Sequence, residues 1–194
     1  MTFTAGVYYG GETRMNNYYV TVQMTTNSHD AVSHNVAFER MKYFVYNCMD
    51  STVFVNQDNE EQCRRFIDAG ISITTMPGEP VDQLIGLMLY YKLNAVMEDR
   101  ILLDETEINS ALGENIVYLH SENEITDVEQ IPEWWTTPDT VHSDYVTLPV
   151  DKIVSMPANT VWRELDLTWP ESDTVIETGN VVVFKNFKSD NDTK

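Results

Sequence analysis

The stretch from Thr52 to Thr75 constrains the fold more than any other. A short apolar run, Thr52 to Val55, precedes Asp58-x-x-Glu61, the pattern of a capping box that opens a helix. Cys63, Phe66 and Ile67 give this helix a narrow apolar face, and Gly70 ends it. Ile71 to Thr75 then alternates as a strand. Strand, helix and strand in so little chain make a βαβ crossover, which requires parallel pairing and a right-handed connection. At least part of the sheet must therefore be parallel.

The flanking segments extend this unit. Tyr18 to Thr25 alternates, with Val20, Val22 and Met24 on one face, and Gly10-Gly11 and Asn16-Asn17 supply turn chemistry before it. The first 26 residues thus read as a hairpin or two short strands. An apolar stripe through Ala37, Met41, Phe44, Val45 and Cys48 predicts a helix over His34 to Met49, with Ser28 or Asp30 as its cap. Pro80 stands at the first position of a helix to Met97 that is apolar on most sides and is expected to be the most buried. Gly86 inside that helix costs about 1 kcal/mol of propensity, so it predicts close packing. Strands at Ile101 to Ile108 and Asn115 to His120, joined through Leu112-Gly113, complete the pattern.

The predicted class is α/β, with an α+β, ferredoxin-like arrangement as the alternative. Residues 1–120 form a core domain with a mixed sheet of about five strands and three helices. Residues 121–194 form an irregular, acidic, tryptophan-rich extension that packs on the core, with one short strand at Tyr145 to Leu148 and a terminal hairpin around Thr178-Gly179-Asn180. At 194 residues and 42% hydrophobic content, the chain can bury one sizeable core. No stretch has the length and apolarity of a membrane span, and the first residues lack a signal-peptide pattern. Cys48 and Cys63 read as free thiols, and a cytoplasmic location is expected.

Charge restricts the partners. The chain carries 31 acids against 12 bases, a net charge of -19. Residues 101–184 hold 17 of the acids against only Lys152 and Arg163. Such a field repels nucleic acid and anionic membrane and attracts basic partners, although acidity also serves solubility alone.

Two patterns carry candidate chemistry. His120-Ser121-Glu122 and His142-Ser143-Asp144 each place an imidazole and a carboxylate two residues apart, on one side of an extended segment. Together they make a candidate set for a divalent metal, against the plainer reading of strand-end and loop residues. No other cofactor is expected, since phosphate-binding glycine loops, nucleophile elbows and paired-cysteine metal motifs are missing from the sequence. Asp104, Glu105 and Glu107 read as a solvated strand edge rather than a cation site. The second pattern interleaves indoles with carboxylates: Glu133-Trp134-Trp135, and Trp162 through Trp169 with Glu164 and Asp166 between them. Tryptophan is enriched at interface hot spots and flanking carboxylates complement basic patches, whereas the plainer reading is that the rings cover the core.

Residues Gly78 to Gly86, Leu112 to His120 and Trp134-Trp135 resemble a family of uncharacterised proteins from large tailed bacteriophages, marine ones in particular, over about residues 15–145. The resemblance implies a viral protein acting in a bacterial cytoplasm, or a virion component, and brings no functional residues to carry over. Three readings follow. The first is an acidic, regulatory binding protein that engages a basic surface of a host or viral protein, including one that normally holds nucleic acid, with the four tryptophans as anchors and Glu133, Glu164 and Asp166 steering. The second is a metal-assisted enzyme using His120, Glu122, His142 and Asp144. The third is a viral structural or assembly protein that forms a homo-oligomer through the aromatic segment.

Overall fold

The structure, a computed structural model, describes residues 1–27, 30–122, 131–138 and 162–170. His142, Asp144, the strand expected at 145–148 and the terminal hairpin lie outside the described residues. Strands β1 (Thr2–Tyr9) and β2 (Glu12–Thr26) form an antiparallel hairpin. Gly10 and Gly11 turn it with φ of 60° and 87°, the double positive φ that a two-residue hairpin loop demands. Asn16-Asn17 is no turn: both residues sit inside β2, opposite Ala5 and Thr4.

Asp30 caps α1 (Ala31–Tyr43), accepting hydrogen bonds from the Val32 and Ser33 amides at 3.1 and 3.0 Å. These bonds, with one from the Ser33 hydroxyl, lower the Asp30 pKa. The chain continues as a π-helical segment, Phe44–Met49, so the apolar stripe extends to Met49 with a changed pitch. Strand β3 (Val53–Asn56), helix α2 (Glu60–Asp68) and strand β4 (Ile73–Met76) are the expected crossover, and β3 and β4 pair in parallel. The capping box does not form. Asn59 is the cap residue of α2 without a side-chain bond, and Asn56 instead accepts from the Asp58 amide at 3.0 Å. Helix α3 (Asp82–Met97) leads to β5 (Ile101–Ser110) and β6 (Tyr118–Ser121), and the short α4 (Glu133–Thr136) follows.

The sheet has six strands in the order β4-β3-β1-β2-β5-β6, mixed in direction, in line with the mixed sheet of about five strands expected. The element order ββαβαβαββ differs from the ferredoxin-like βαββαβ alternative. One sheet face carries Phe3, Ala5, Tyr18, Val20, Phe54 and Ile108 into the main core beneath α1 and α3. The other face carries Val53, Val55 and Ile73 against Cys63 and Phe66 of α2, a smaller cluster over β3 and β4. Helices therefore cover both faces, but unequally. Cys48 and Cys63 are free and buried, and burial pushes the Cys63 thiol pKa up.

Gly86 lies where α3 crosses β5 and β6. A β-carbon there would stand 2.4 Å from Ile108 Cγ2 and 2.6 Å from His120 Nε2, well inside contact distance. The close packing expected from the sequence is present, and its partner is the buried imidazole of His120. We expect Gly86→Ala to destabilise the protein, since overpacking costs about 1–3 kcal/mol against a propensity gain of about 1 kcal/mol. Urea unfolding of the variant beside the wild type measures the difference.

Candidate functional site

The indole-bearing segments are held by two buried cations. Lys92 on α3 is fully buried and donates to the carbonyls of Trp134 and Thr137 at 2.8 and 2.7 Å. Arg40 on α1 is 3% exposed and donates from Nε to the Leu167 carbonyl at 2.8 Å and from Nη1 to Glu98 Oε1 at 2.7 Å. Its guanidinium carbon sits 4.8 Å from the Trp162 ring centre and 3.9 Å from that of Trp169, and Arg100 covers Trp169 at 4.2 Å. Burial lowers the Arg40 pKa, while the bond to Glu98 raises it.

This arrangement puts two of the four rings expected to anchor a partner out of reach of one. Trp135 and Trp162 are sealed in the core, and Trp134 and Trp169 lie half-buried against it. For Trp135 and Trp162 the ring area is consumed by core burial, because an indole excluded from water gains most where packing surrounds it. Glu133, Glu164 and Asp166 remain exposed.

Of the two histidine pairs, only His120 and Glu122 lie among the described residues. His120 is buried beneath α3 against Gly86, and Glu122 is exposed at the end of β6. The packing role of His120 follows from its place on the sheet face that receives α3. Among the described residues, no group of three or more His, Cys, Asp or Glu side chains converges as a metal site.

Two features that residue patterns did not reveal emerge from the tertiary structure. The first is a cavity of about 500 Å³ where the hairpin projects past the start of α3. Its floor includes Val7, Tyr9, Glu12, Arg14 and Asn16, and its walls come from Pro80 to Asp82, from Ser110 to Gly113 and from Tyr118. Asp82 Oδ2 accepts from the Ser110 hydroxyl at 2.5 Å, and Asn16 Oδ1 accepts from the Leu112 amide at 3.1 Å. Burial, followed by the Asp82 charge, raises the pKa of nearby Tyr18.

The second feature is the sheet face over β2, β5 and β6 opposite α3, which no described helix covers. It presents Tyr19, Thr21, Gln23, Glu105, Glu107 and Leu119, placed together by the pairing of Thr21 with Glu107 and of Glu107 with Leu119. Tyr19 and Leu119 are 49% and 47% exposed. A bulge in β5 beside Gln23 adds Asp104, which accepts from the Thr25 hydroxyl at 2.7 Å. The carboxylates thus lie on an open face of an interior strand, and the edge position read from the sequence is corrected: β5 runs between β2 and β6. Alternation alone assigns Glu105 and Glu107 to one side, but only the layer arrangement says which side stays open.

Among the described residues, no helix is long and apolar enough to cross a membrane. No family model matches this chain, and no curated protein matches it.

We expect Arg40→Ala to loosen the 162–170 segment. Removing one partner of a buried pair costs about 3–5 kcal/mol, and because Glu98 keeps solvent contact a loss of about 2–4 kcal/mol is expected. A red-shifted tryptophan emission in the folded variant, set against its chemical unfolding curve, checks both parts.

Proposed function

We propose that the protein is an acidic binding protein that engages a basic surface of another protein through the open face of β2, β5 and β6. The observation that carries this reading is the composition of that face. Asp104, Glu105 and Glu107 share the face with Thr21, Gln23, Tyr19 and Leu119, and no strand residue on the face is Lys or Arg. An exposed Asp104 and the half-buried Glu105 and Glu107, on a face that also carries Tyr19 and Leu119, combine steering charge with desolvatable contact area, the pairing a basic protein surface needs. The overall charge of -19 adds long-range attraction of the same sign and disfavours nucleic acid as a direct ligand. The reading assigns the acids a role in recognition and leaves the sealed indoles to the core.

The test starts from a low-salt capture out of bacterial lysate and continues with the purified complex of any basic protein retained. We expect the double variant Glu105→Lys, Glu107→Lys to weaken that complex at least about tenfold, and association to slow steeply as salt rises. Charge reversal at Glu60, on α2, is expected to change it by less than about threefold. Equal affinity of the double variant and the wild type, or binding indifferent to salt, would sink the reading.

A further inference from the structure

We propose that the cavity between the β1–β2 hairpin and the start of α3 binds a cationic nitrogen group carried on a short hydrocarbon stem, with Asp82 as its counter-ion. The inference is separate from the sheet-face reading: Val7, Arg14 and Asn16 of the cavity floor lie on the opposite side of the sheet from Glu105 and Glu107.

The size fits a small ligand. Such sites run to about 300–1,000 Å³, and this cavity has about 500 Å³. The charge follows from the lining. Its ionised side chains are Glu12, Arg14 and Asp82. Glu12 and Arg14 pair with one another at 2.9 Å, and Asp82, in the first turn of α3, has no basic side chain paired with it among the described residues.

Asp82 is also held ready. Its Oδ2 accepts from Ser110, and the backbone at Gly113 passes so close that a β-carbon there would stand 2.6 Å from the same oxygen. The other oxygen, Oδ1, makes no hydrogen bond among the described residues. A carboxylate positioned on one oxygen and open on the other suits a donor cation, because little reorganisation is needed on binding.

The walls supply the rest. Tyr9, Val81 and Leu112 are 61%, 50% and 58% exposed, a concentration of large apolar surface around one half-buried carboxylate. A hydrocarbon stem would bury these side chains, and the lining tyrosines Tyr9 and Tyr118 add aromatic surface of the kind that attracts a cation. An anionic ligand would meet Asp82 with Arg14 already engaged by Glu12. A free alkylamine and the lysine or arginine side chain of a protein share the required chemistry.

Amide chemical shifts of the ¹⁵N-labelled full chain read the site directly. The probes are 1,5-diaminopentane and, separately, Nα-acetyl-lysine methylamide, with hexanoate and hexanol as the anionic and neutral comparisons. We expect at least one amine to move the amides of Gly10, Ser110 and Gly113 saturably, and both comparisons to bind at least about tenfold more weakly. Asp82→Asn is expected to weaken amine binding about tenfold or more, and Ser110→Ala, which keeps the charge, by about threefold or less. Tighter binding of the diamine assigns the site to free amines, tighter binding of the lysine derivative to a protein side chain, and either supports the proposal. It is overturned if neither amine moves those amides at up to roughly 10 mM. It is equally overturned if hexanoate or hexanol binds as tightly as the amines, or if a folded Asp82→Asn variant binds them like the wild type. The comparison of probes uses the wild type alone, so it decides the question even where Asp82→Asn does not fold.

Discussion

A positive charge inside the apolar core, met by backbone carbonyls, is the interaction on which the closed side of the protein depends. Lys92 is fully buried on α3, and an ammonium there is tolerable only if its lost hydration is replaced. The carbonyls of Trp134 and Thr137 accept from it, so docking of α4 satisfies the Lys92 donors and seats the Trp135 ring in the core. Arg40 repeats the device on α1: it binds the Leu167 carbonyl and Glu98 and lies against two indoles. In a chain with 12 bases, withdrawing two of them into the interior leaves a surface still more dominated by carboxylates.

Unequal coverage of the sheet creates the two binding surfaces. The nine residues of α2 shield β3 and β4 on one face, while α1 and α3 shield the other. No described helix therefore covers the α2 face over β2, β5 and β6, where Glu105 and Glu107 stand. On the opposite face, α3 begins at Asp82, short of the hairpin tip at Gly10-Gly11, and the uncovered end becomes the cavity. Both surfaces are consequences of where helices begin and end relative to longer strands. Neither requires a sequence motif.

The same reasoning separates the legible parts of the fold from the rest. The crossover at residues 53–76, the glycine turn of the hairpin and the close approach at Gly86 each depend on local pattern, and each is present in the structure. Helix starts moved by a few residues: α1 begins at Ala31 behind the expected Asp30 cap, α3 begins at Asp82 rather than at Pro80, and the Asp58-x-x-Glu61 pattern forms no capping box. A cap depends on which side chain reaches a free amide, a matter of loop geometry that residue type leaves open. The carboxylates of β5 were visible as a pattern, but their place in the sheet was not.

By itself the sequence determined the α/β character, the parallel β3–β4 pair, the charge and the residue types available to any site. Only the tertiary structure decided the fate of the indoles, because their burial depends on contacts between distant segments: Lys92 with Trp134 across 42 positions and Arg40 with Leu167 across 127. It likewise seated the His120 ring beneath Gly86, and it joined Asp82 to Ser110 across 28 positions. Periodicity reports which side chains share a face of one element. Which faces meet, and which remain in water, is settled only when all the elements compete to bury their apolar surface at once.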